Sequence, residues 1–234
     1  MIVERSEHPT WTSNAYLAYD RPGGHGVFID GNGVTAPLLE KSEVDDVTIT
    51  HVLVTHGHGD HVVGVEDLAA GYDVPLLRWP DLSDGQVVIS GDLQIHALYT
   101  PGHARDHLAL SVNGTDVFTA DVLFKGTVGG TAHGGPTGFE DIKHSIMDRL
   151  MQLDPSTVVH PGHTLPSTIG DEWERNPFIR IWRGVDPEGS EPCKVRGEDA
   201  TLILWAPDYD GTNKAWVRYP DGRDQIVGGS QVER

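Results

Sequence analysis

The stretch that decides the fold runs from Thr55 to Gly64 and reads THGHGDHVVG. It follows the β-branched and apolar run VTITHVLVT (residues 47–55), which predicts a strand long enough to cross a sheet. Neutral imidazoles and carboxylates are the ligands that zinc and related metals prefer. His56 and His58 can project together from an extended segment, whereas Asp60 and His61 lie past the turn. The stretch therefore predicts two neighbouring metal ions.

A site for two ions needs about six protein ligands, and three other strand ends offer the missing donors. His103 follows Thr-Pro-Gly after the predicted strand 93–99, and Asp121 closes the run VFTAD. His163 lies in HPGH after the predicted strand 157–160. Because strand ends at one edge of a sheet converge, we expect His103, Asp121 and His163 to join the first cluster.

The remaining pattern predicts a sheet-rich first half, one long helix and a small β-rich C-terminal appendage. Further strands are expected at residues 27–30, 86–89, 108–112, 117–119, 201–205 and 215–219. Apolar residues recur at three- and four-residue spacing over 139–153 and predict the helix, with a capping box at Thr137 and Glu140. A shorter helix is expected at 169–175. We place a catalytic domain at 1–183 and the appendage at 184–234.

Composition narrows the function classes. The 234 residues suit one large domain, and 17 basic against 35 acidic residues give a net charge of −18, which disfavours nucleic acid or an anionic membrane as partner. The lone Cys193 excludes an internal disulfide. The first residues, MIVERSEHPT, do not read as an apolar signal segment, so the expected location is the cytoplasm.

Four further motifs carry a family resemblance. THGHGDHVVG resembles the HxHxDH signature of the metallo-β-lactamase superfamily. TPGHARDH (100–107), TADVLF (119–124), HPGHT (160–164) and STIGDEWERNPF (167–178) are similar to later motifs of its glyoxalase II-like branch. The resemblance extends from about Asn14 to Phe178. It implies an α/β (α+β) fold, the αββα sandwich of two sheets with helices outside.

The resemblance also implies a ligand set and shows departures. His56, His58 and His103 would hold one ion, Asp60, His61 and His163 the other, and Asp121 would bridge them. Ala104 and Asp106 replace the Thr and Gly that the branch commonly has. The loop 125–138 lacks its Gly-Arg-Thr-Asp run, and residues after 183 look too short and β-rich for the helical domain that grips glutathione in full-length glyoxalase II.

These features predict a metal-dependent hydrolase of a thioester or related small ester. A water shared by two divalent ions is ionised to hydroxide near neutrality, and this hydroxide would attack the acyl carbon. Asp60 would be a metal ligand, orient the hydroxide and carry a proton. Zinc is the expected metal, with iron or manganese as alternatives. The expected partner is a small acyl substrate, and a homo-oligomer stays open.

Other functions on the same motifs are a persulfide dioxygenase with one iron, a lactonase or β-lactamase, and a metal-stabilised binding module. A bridging Asp121 disfavours a true β-lactamase. Among the other histidines, His107 and His160 adjoin motifs and could orient ligands, and His133 could border the substrate pocket. The appendage aromatics either pack onto the core or offer an oligomer surface: Trp205, Tyr209, Trp216 and Tyr219.

Overall fold

The computed structural model describes residues 1–132, 135 and 137–234, so His133 lies outside the described residues. The chain divides into two compact units built from interleaved segments. The first unit comprises Met1–Tyr99, Asp106–Ala120 and Gly162–Thr164, and the second comprises Thr100–Arg105, Asp121–Pro161 and Leu165–Arg234. Among the described residues, no helix is long and apolar enough to cross a membrane.

The first unit begins with a mixed five-stranded sheet. Its strands are β1 (Ile2–Glu7), β2 (Asn14–Tyr19), β3 (His25–Ile29), β5 (Thr48–Leu53) and β6 (Leu76–Leu77), in the order β1-β2-β3-β5-β6. The first three pair antiparallel, and β3, β5 and β6 run parallel. The two-residue strand β4 (Gly31–Asn32) bridges to Val62 and Val63. Three helices belong to this part of the chain: α1 (Ala36–Val44), α2 (Gly59–Val62) and α3 (Val65–Tyr72).

A second sheet of the first unit is an antiparallel meander. Its strands are β7 (Val87–Ser90), β8 (Leu93–Tyr99), β9 (Leu108–Val112) and β10 (Asp116–Ala120), each paired with the next along the chain. Side chains of both sheets meet in one core, which includes Ile29 and Leu53 from the first sheet and Ile95 and Leu110 from the second. Full burial of each such side chain contributes about 1.5–3 kcal/mol.

The outer face of the first sheet is covered by helices. Leu38 of α1 and Val65 and Leu68 of α3 pack on Leu17 and Val52 in a second apolar cluster. The first unit is thus layered as helices, sheet and sheet. Strand β2 is buried along its whole length, because one face meets the other sheet and the other meets the helices.

The second unit combines short hairpins, helices and a C-terminal sheet. Its first elements are β11 (Leu123–Phe124), β12 (Thr127–Val128), α4 (Gly138–His144), β13 (Val158–Pro161), β14 (Ser167–Thr168), α5 (Ile169–Arg175) and α6 (Pro177–Trp182). The C-terminal sheet is β15 (Glu191–Val195), β16 (Glu198–Pro207), β17 (Asn213–Arg218), β18 (Asp224–Gly228) and β19 (Val232–Glu233). Its strand order is β18-β17-β16-β15-β19, all antiparallel.

The appendage aromatics pack inside this second unit. The Trp216 ring lies 5.0 Å from that of Phe139, and the Tyr209 ring lies 4.8 Å from that of Phe124. Trp216 and Tyr219 are buried. For Trp216 and Tyr209 the packing interpretation is confirmed. The division of the chain at residues 183 and 184 stays a prediction.

Most of the predicted elements are confirmed, and the long helix is the main correction. Strands β8 and β9 and helix α5 have the predicted bounds, and β16 and β17 overlap the predicted strands 201–205 and 215–219 and pair with each other. The region 139–153 is helical but not one α-helix: α4 passes into a π-helical turn (Ser145–Arg149) and a 3₁₀ turn (Leu150–Gln152). Ile142, Ile146 and Leu150 are spaced by four residues, more than the 3.6 of an α-helical turn, and the wider turn keeps all three buried.

The predicted capping box is wrong. Thr137 occupies the N-cap position of α4 but makes no side-chain capping bond. Its hydroxyl instead donates to the carboxylate of Asp141, with an oxygen–oxygen distance of 2.7 Å. In α5, by contrast, the Thr168 hydroxyl accepts the backbone N–H of Asp171. The residue types at Thr137 and Glu140 therefore have the right spacing, but the Thr137 hydroxyl bonds the Asp141 side chain and no helix N–H.

Candidate metal centre

The turn after β5 and the short helix α2 that follows it carry four of the predicted ligands. His56 lies three residues beyond the end of β5, His58 is the N-cap residue of α2, and Asp60 and His61 lie within that helix. The rings of His56 and His58 lie 4.6 Å apart, and those of His56 and His61 also lie 4.6 Å apart. The short helix α2 thus turns Asp60 and His61 back toward the end of the strand.

His163 reaches the same place although a hundred residues separate it from this turn. The backbone N–H of Asn14, at the start of β2, donates to the Gly162 carbonyl at 2.7 Å, and Ser13 forms a bridge with His163 itself. The Asn14 amide and the Arg5 guanidinium both donate to the Thr164 carbonyl at 2.9 Å. These bonds fix residues 162–164 on the first sheet.

Asp60, His61 and His163 form a cluster whose ligand atoms all lie within 4.8 Å of one another. The Asp60 carboxylate lies 3.7 Å from His61 Nε2 and 3.5 Å from His163 Nε2. These distances exceed the 2.7–3.2 Å typical of a hydrogen bond. Two ligands of one tetrahedral zinc, each about 2.0–2.1 Å from it, lie about 3.4 Å apart. The donor set and its spacing therefore fit a metal ion.

Asp30 orients this cluster. Its carboxylate accepts the His61 Nδ1 proton at 3.0 Å, and it also accepts the Thr55 hydroxyl at 2.7 Å and the Thr55 backbone N–H at 2.8 Å. A donating Nδ1 leaves Nε2 of His61 as the atom that can bind a metal. Asp30 was not among the residues predicted from the sequence, where its signal is a carboxylate at the end of the VFID strand. In the structure its φ of +58° is left-handed.

His103 and Asp121 belong to the second unit, where they lie next to each other. His103 Nε2 lies 3.5 Å from the Asp121 carboxylate, and His103 Nδ1 donates to the Gly130 carbonyl at 2.9 Å. The preceding Gly102 has a φ of +131°, and a Cβ there would lie 2.3 Å from the Ile142 nitrogen. Only glycine allows this close approach to α4.

The predicted ligands therefore divide between the units, with five in the first and His103 and Asp121 in the second. Four of them are buried, namely His56, His61, Asp121 and His163. The others are partly exposed, and the Asp60 side chain is 28% accessible. A small molecule can therefore reach Asp60 from solvent.

Two residues of the TPGHARDH motif contact the first stretch. The Asp106 carboxylate accepts the backbone N–H of Gly57 at 2.9 Å, between His56 and His58. Asp106 is one of the departures from the family pattern, so this bond depends on the substituted residue. His107 is fully buried, and its ring lies 5.1 Å from that of His56.

Three histidines outside the predicted ligand set lie elsewhere in the structure. His51 is in β5, where burial lowers the pKa of its imidazole, and Nδ1 lies 3.0 Å from the Thr50 hydroxyl. His144 is exposed at the end of α4 and pairs with Asp148 at 2.8 Å. His8 stacks on Trp11 in the loop after β1. None of these three is a member of the Asp60 cluster.

Two packed sheets with a histidine–aspartate cluster at the end of a central strand define an α+β protein with a candidate metal centre. Residues 9–78 match the family model described as the metallo-beta-lactamase superfamily. The chain is 31% identical to an uncharacterized protein of Mycobacterium tuberculosis, over 71% of this chain and 92% of that protein. The chain belongs to the metallo-β-lactamase superfamily, which confirms the resemblance and the fold class.

Named relatives and solved structures point to the same group. A hydroxyacylglutathione hydrolase of Haemophilus influenzae is 28% identical, over 76% of this chain and 98% of that protein. The structure of ETHE1 from Myxococcus xanthus matches with a TM-score of 0.69 and 26% identity, over 80% and 92%. TTHA1623, crystallised in a di-iron-bound form, matches with a TM-score of 0.63 and 28% identity, over 75% and 99%.

Proposed function

We propose that this chain is a metal-dependent hydrolase of thioesters or related small esters that uses two divalent ions. The observation that carries the proposal is the position of Asp60, whose carboxylate lies 3.5–3.7 Å from Nε2 of His61 and of His163. This spacing suits ligands that share one ion better than hydrogen-bonded neighbours. Asp30 supports it by holding His61 in the tautomer that can bind metal.

We assign Asp60, His61 and His163 to one ion, and His56, His58 and His103 to the other, with Asp121 as the bridge. The relative crystallised with two iron ions supports two metals at such a centre in a chain 28% identical to this one.

When bound, two divalent ions lower the pKa of a water to about 7 and polarise an acyl carbonyl. The carboxylates of Asp60 and Asp121 offset only half of the charge of two such ions. An electron-rich acyl group is therefore attracted to the centre despite the net charge of −18. Asp60 is partly exposed and has a second role, in which it orients the water and passes a proton to the departing thiolate or alkoxide.

The thioester class is supported by the relative named hydroxyacylglutathione hydrolase. We propose the class rather than glutathione itself. Residues 191–233 of this chain form a β-sheet, whereas a helical domain grips the thiol in full-length glyoxalase II. Zinc is the proposed metal, with iron and manganese as alternatives, since availability and geometry rather than ligand type select the metal.

The second candidate is a persulfide dioxygenase with one iron held by two histidines and an aspartate. The similarity to ETHE1 favours it. The two candidates differ in metal count and in the use of oxygen. A hydrolase consumes water alone, whereas the dioxygenase consumes one O₂ for each persulfide.

The test is a substrate panel on metal-analysed protein. Purified chain is assayed with acyl thioesters and small esters, and with a persulfide under an oxygen electrode. We expect thioester hydrolysis, which Asp60→Ala lowers by at least a hundredfold and which Asp67→Ala, an exposed carboxylate on α3, leaves unchanged. Oxygen uptake with persulfide and no thioester hydrolysis would select the second candidate, and full activity in Asp60→Ala would remove both roles of Asp60.

A further inference from the structure

We propose that the C-terminal sheet is a positioning device for the metal ligand His103 and acts through Thr131. This inference rests on the proposed function, because it takes His103 as a ligand. It gives residues 184–234 a role in the metal centre.

The sheet holds the segment Gly129–Thr131 through strand β18. The backbone N–H of Thr131 donates to the Ile226 carbonyl at 2.9 Å, and the Ile226 N–H donates to the Thr131 hydroxyl at 2.9 Å. Both residues are buried, with Thr131 3% and Ile226 0% exposed. A reciprocal pair of buried hydrogen bonds fixes one end of the segment, because breaking either would leave a buried polar group without its partner.

The other end of the same segment touches the two candidate ligands. Gly130 accepts the Nδ1 proton of His103 at 2.9 Å. Gly129 lies so close to Asp121 that a Cβ would stand 1.9 Å from the Asp121 carbonyl oxygen and 3.2 Å from His103 Nδ1. A shift of the segment by a few tenths of an ångström would therefore move the acceptor that orients His103.

Orientation matters because the Gly130 carbonyl decides which ring nitrogen of His103 is free to bind metal. With Nδ1 donating to a carbonyl, Nε2 is the metal-binding atom, and it lies 3.5 Å from the Asp121 carboxylate. Loss of such an outer partner typically weakens metal binding by about 10–100-fold.

A second route from the sheet supports the same ligand. Trp216 of β17 packs on Phe139 in the first turn of α4, with ring centroids 5.0 Å apart. One turn further on, Ile142 lies against Gly102, the residue before His103. The sheet therefore contacts both the segment that accepts from His103 and the helix that supports its backbone.

The test is zinc and cobalt binding to Thr131→Val, which keeps the shape of the side chain and removes the acceptor of the Ile226 N–H. Chelator competition resolves the two zinc-binding events, and the cobalt absorption spectrum reports ligand geometry. We expect one of the two events to weaken by about tenfold, with a changed cobalt spectrum, and the other to stay within twofold. Thr131→Ser keeps the hydroxyl and should restore wild-type binding.

Thr201→Val on β16 is the matched control, since it makes the same change in the sheet that holds Thr131, at a residue paired with Arg218. It should leave both events within twofold. If Thr131→Val fails to fold, Thr131→Ala makes the same deletion without the added methyl. Tight binding of both ions by a folded Thr131 variant would overturn this inference alone. A wild-type chain that binds no zinc or cobalt would overturn the proposed function, and this inference with it.

Discussion

Replacing Asp30 by Asn tests whether His61 is held as a metal ligand. The substitution keeps the size of the side chain, and the amide oxygen can still accept the Thr55 backbone N–H. Its NH₂ group then faces His61 Nδ1 and the Thr55 hydroxyl, where the carboxylate accepted both protons. Two donors cannot pair, so His61 must give up its Nδ1 proton and carry one on Nε2. The atom assigned to the metal is then blocked.

The size of the effect follows from the burial of the pair. His61 is 0% and Asp30 3% exposed, so solvent cannot replace the lost bond. A hydrogen bond to a buried charged group contributes about 1.5–3 kcal/mol. This corresponds to a loss of about 10–150-fold in affinity for the ion that we assign to Asp60, His61 and His163, close to the range typical of partners that orient a metal ligand.

The assay is zinc competition against a chelating dye, read separately for the two binding events. Asp20→Asn is the matched control, because its side chain is also 4% exposed and its carboxylate accepts backbone N–H groups of Arg21 and His25 rather than a histidine ring. We expect Asp30→Asn alone to weaken one event. Equal zinc affinity in Asp30→Asn and wild type, or an equal loss in Asp20→Asn, would refute the reasoning.

Three further predictions follow from the contacts. Asp106→Ala removes the acceptor of the Gly57 N–H and should weaken zinc binding about fivefold, because a partly exposed hydrogen bond contributes about 1 kcal/mol. Asp106→Asn keeps an acceptor and should bind zinc as the wild type does. Equal zinc affinities of Asp106→Ala and wild type in a dye titration would contradict this prediction. Burial raises the pKa of Glu172, so the free energy of unfolding of the wild type should fall as pH rises through that pKa. The melting temperature of Glu172→Gln should therefore rise relative to that of the wild type from about pH 4 upward. A difference in melting temperature that does not change with pH would count against this prediction. Gly102→Ala places a Cβ 2.3 Å from the Ile142 nitrogen and should lower the free energy of unfolding in urea by about 2–4 kcal/mol. An unfolding midpoint equal to that of the wild type would show that α4 shifts to make room for the methyl group.

The sequence predicted the strands better than the helices around them. The apolar residues of β8 and β9 are buried in the core between the sheets, and those of β5 are buried there and under the helices, so pattern and tertiary structure agree. Helix α1 escaped prediction because only Leu38 and Ser42 of its nine residues are buried, which leaves almost no apolar period. The long helix was predicted as regular because spacing alone does not show that a four-residue repeat is accommodated by a π-helical turn.

The residues of the proposed ligand set could be named from the sequence because a metal needs particular donors, and such donors stand at strand ends. Their partners could not. Asp30, which accepts from His61, is one of many aspartates at turns, and nothing in the sequence shows that the Thr131 hydroxyl accepts the Ile226 N–H. Asp106 was noted as a departure from the family pattern, but its bond to Gly57 follows only from the fold.

The most direct measurement is a zinc titration of chelator-stripped protein, in which bound ions per chain and thioester hydrolysis are recorded in the same samples. We expect no hydrolysis in the stripped protein and a rate that rises to its maximum as binding approaches two ions per chain. Full hydrolysis by the stripped protein, or a chain that binds no metal with all seven ligands intact, would contradict the assignment of a metal-dependent hydrolase.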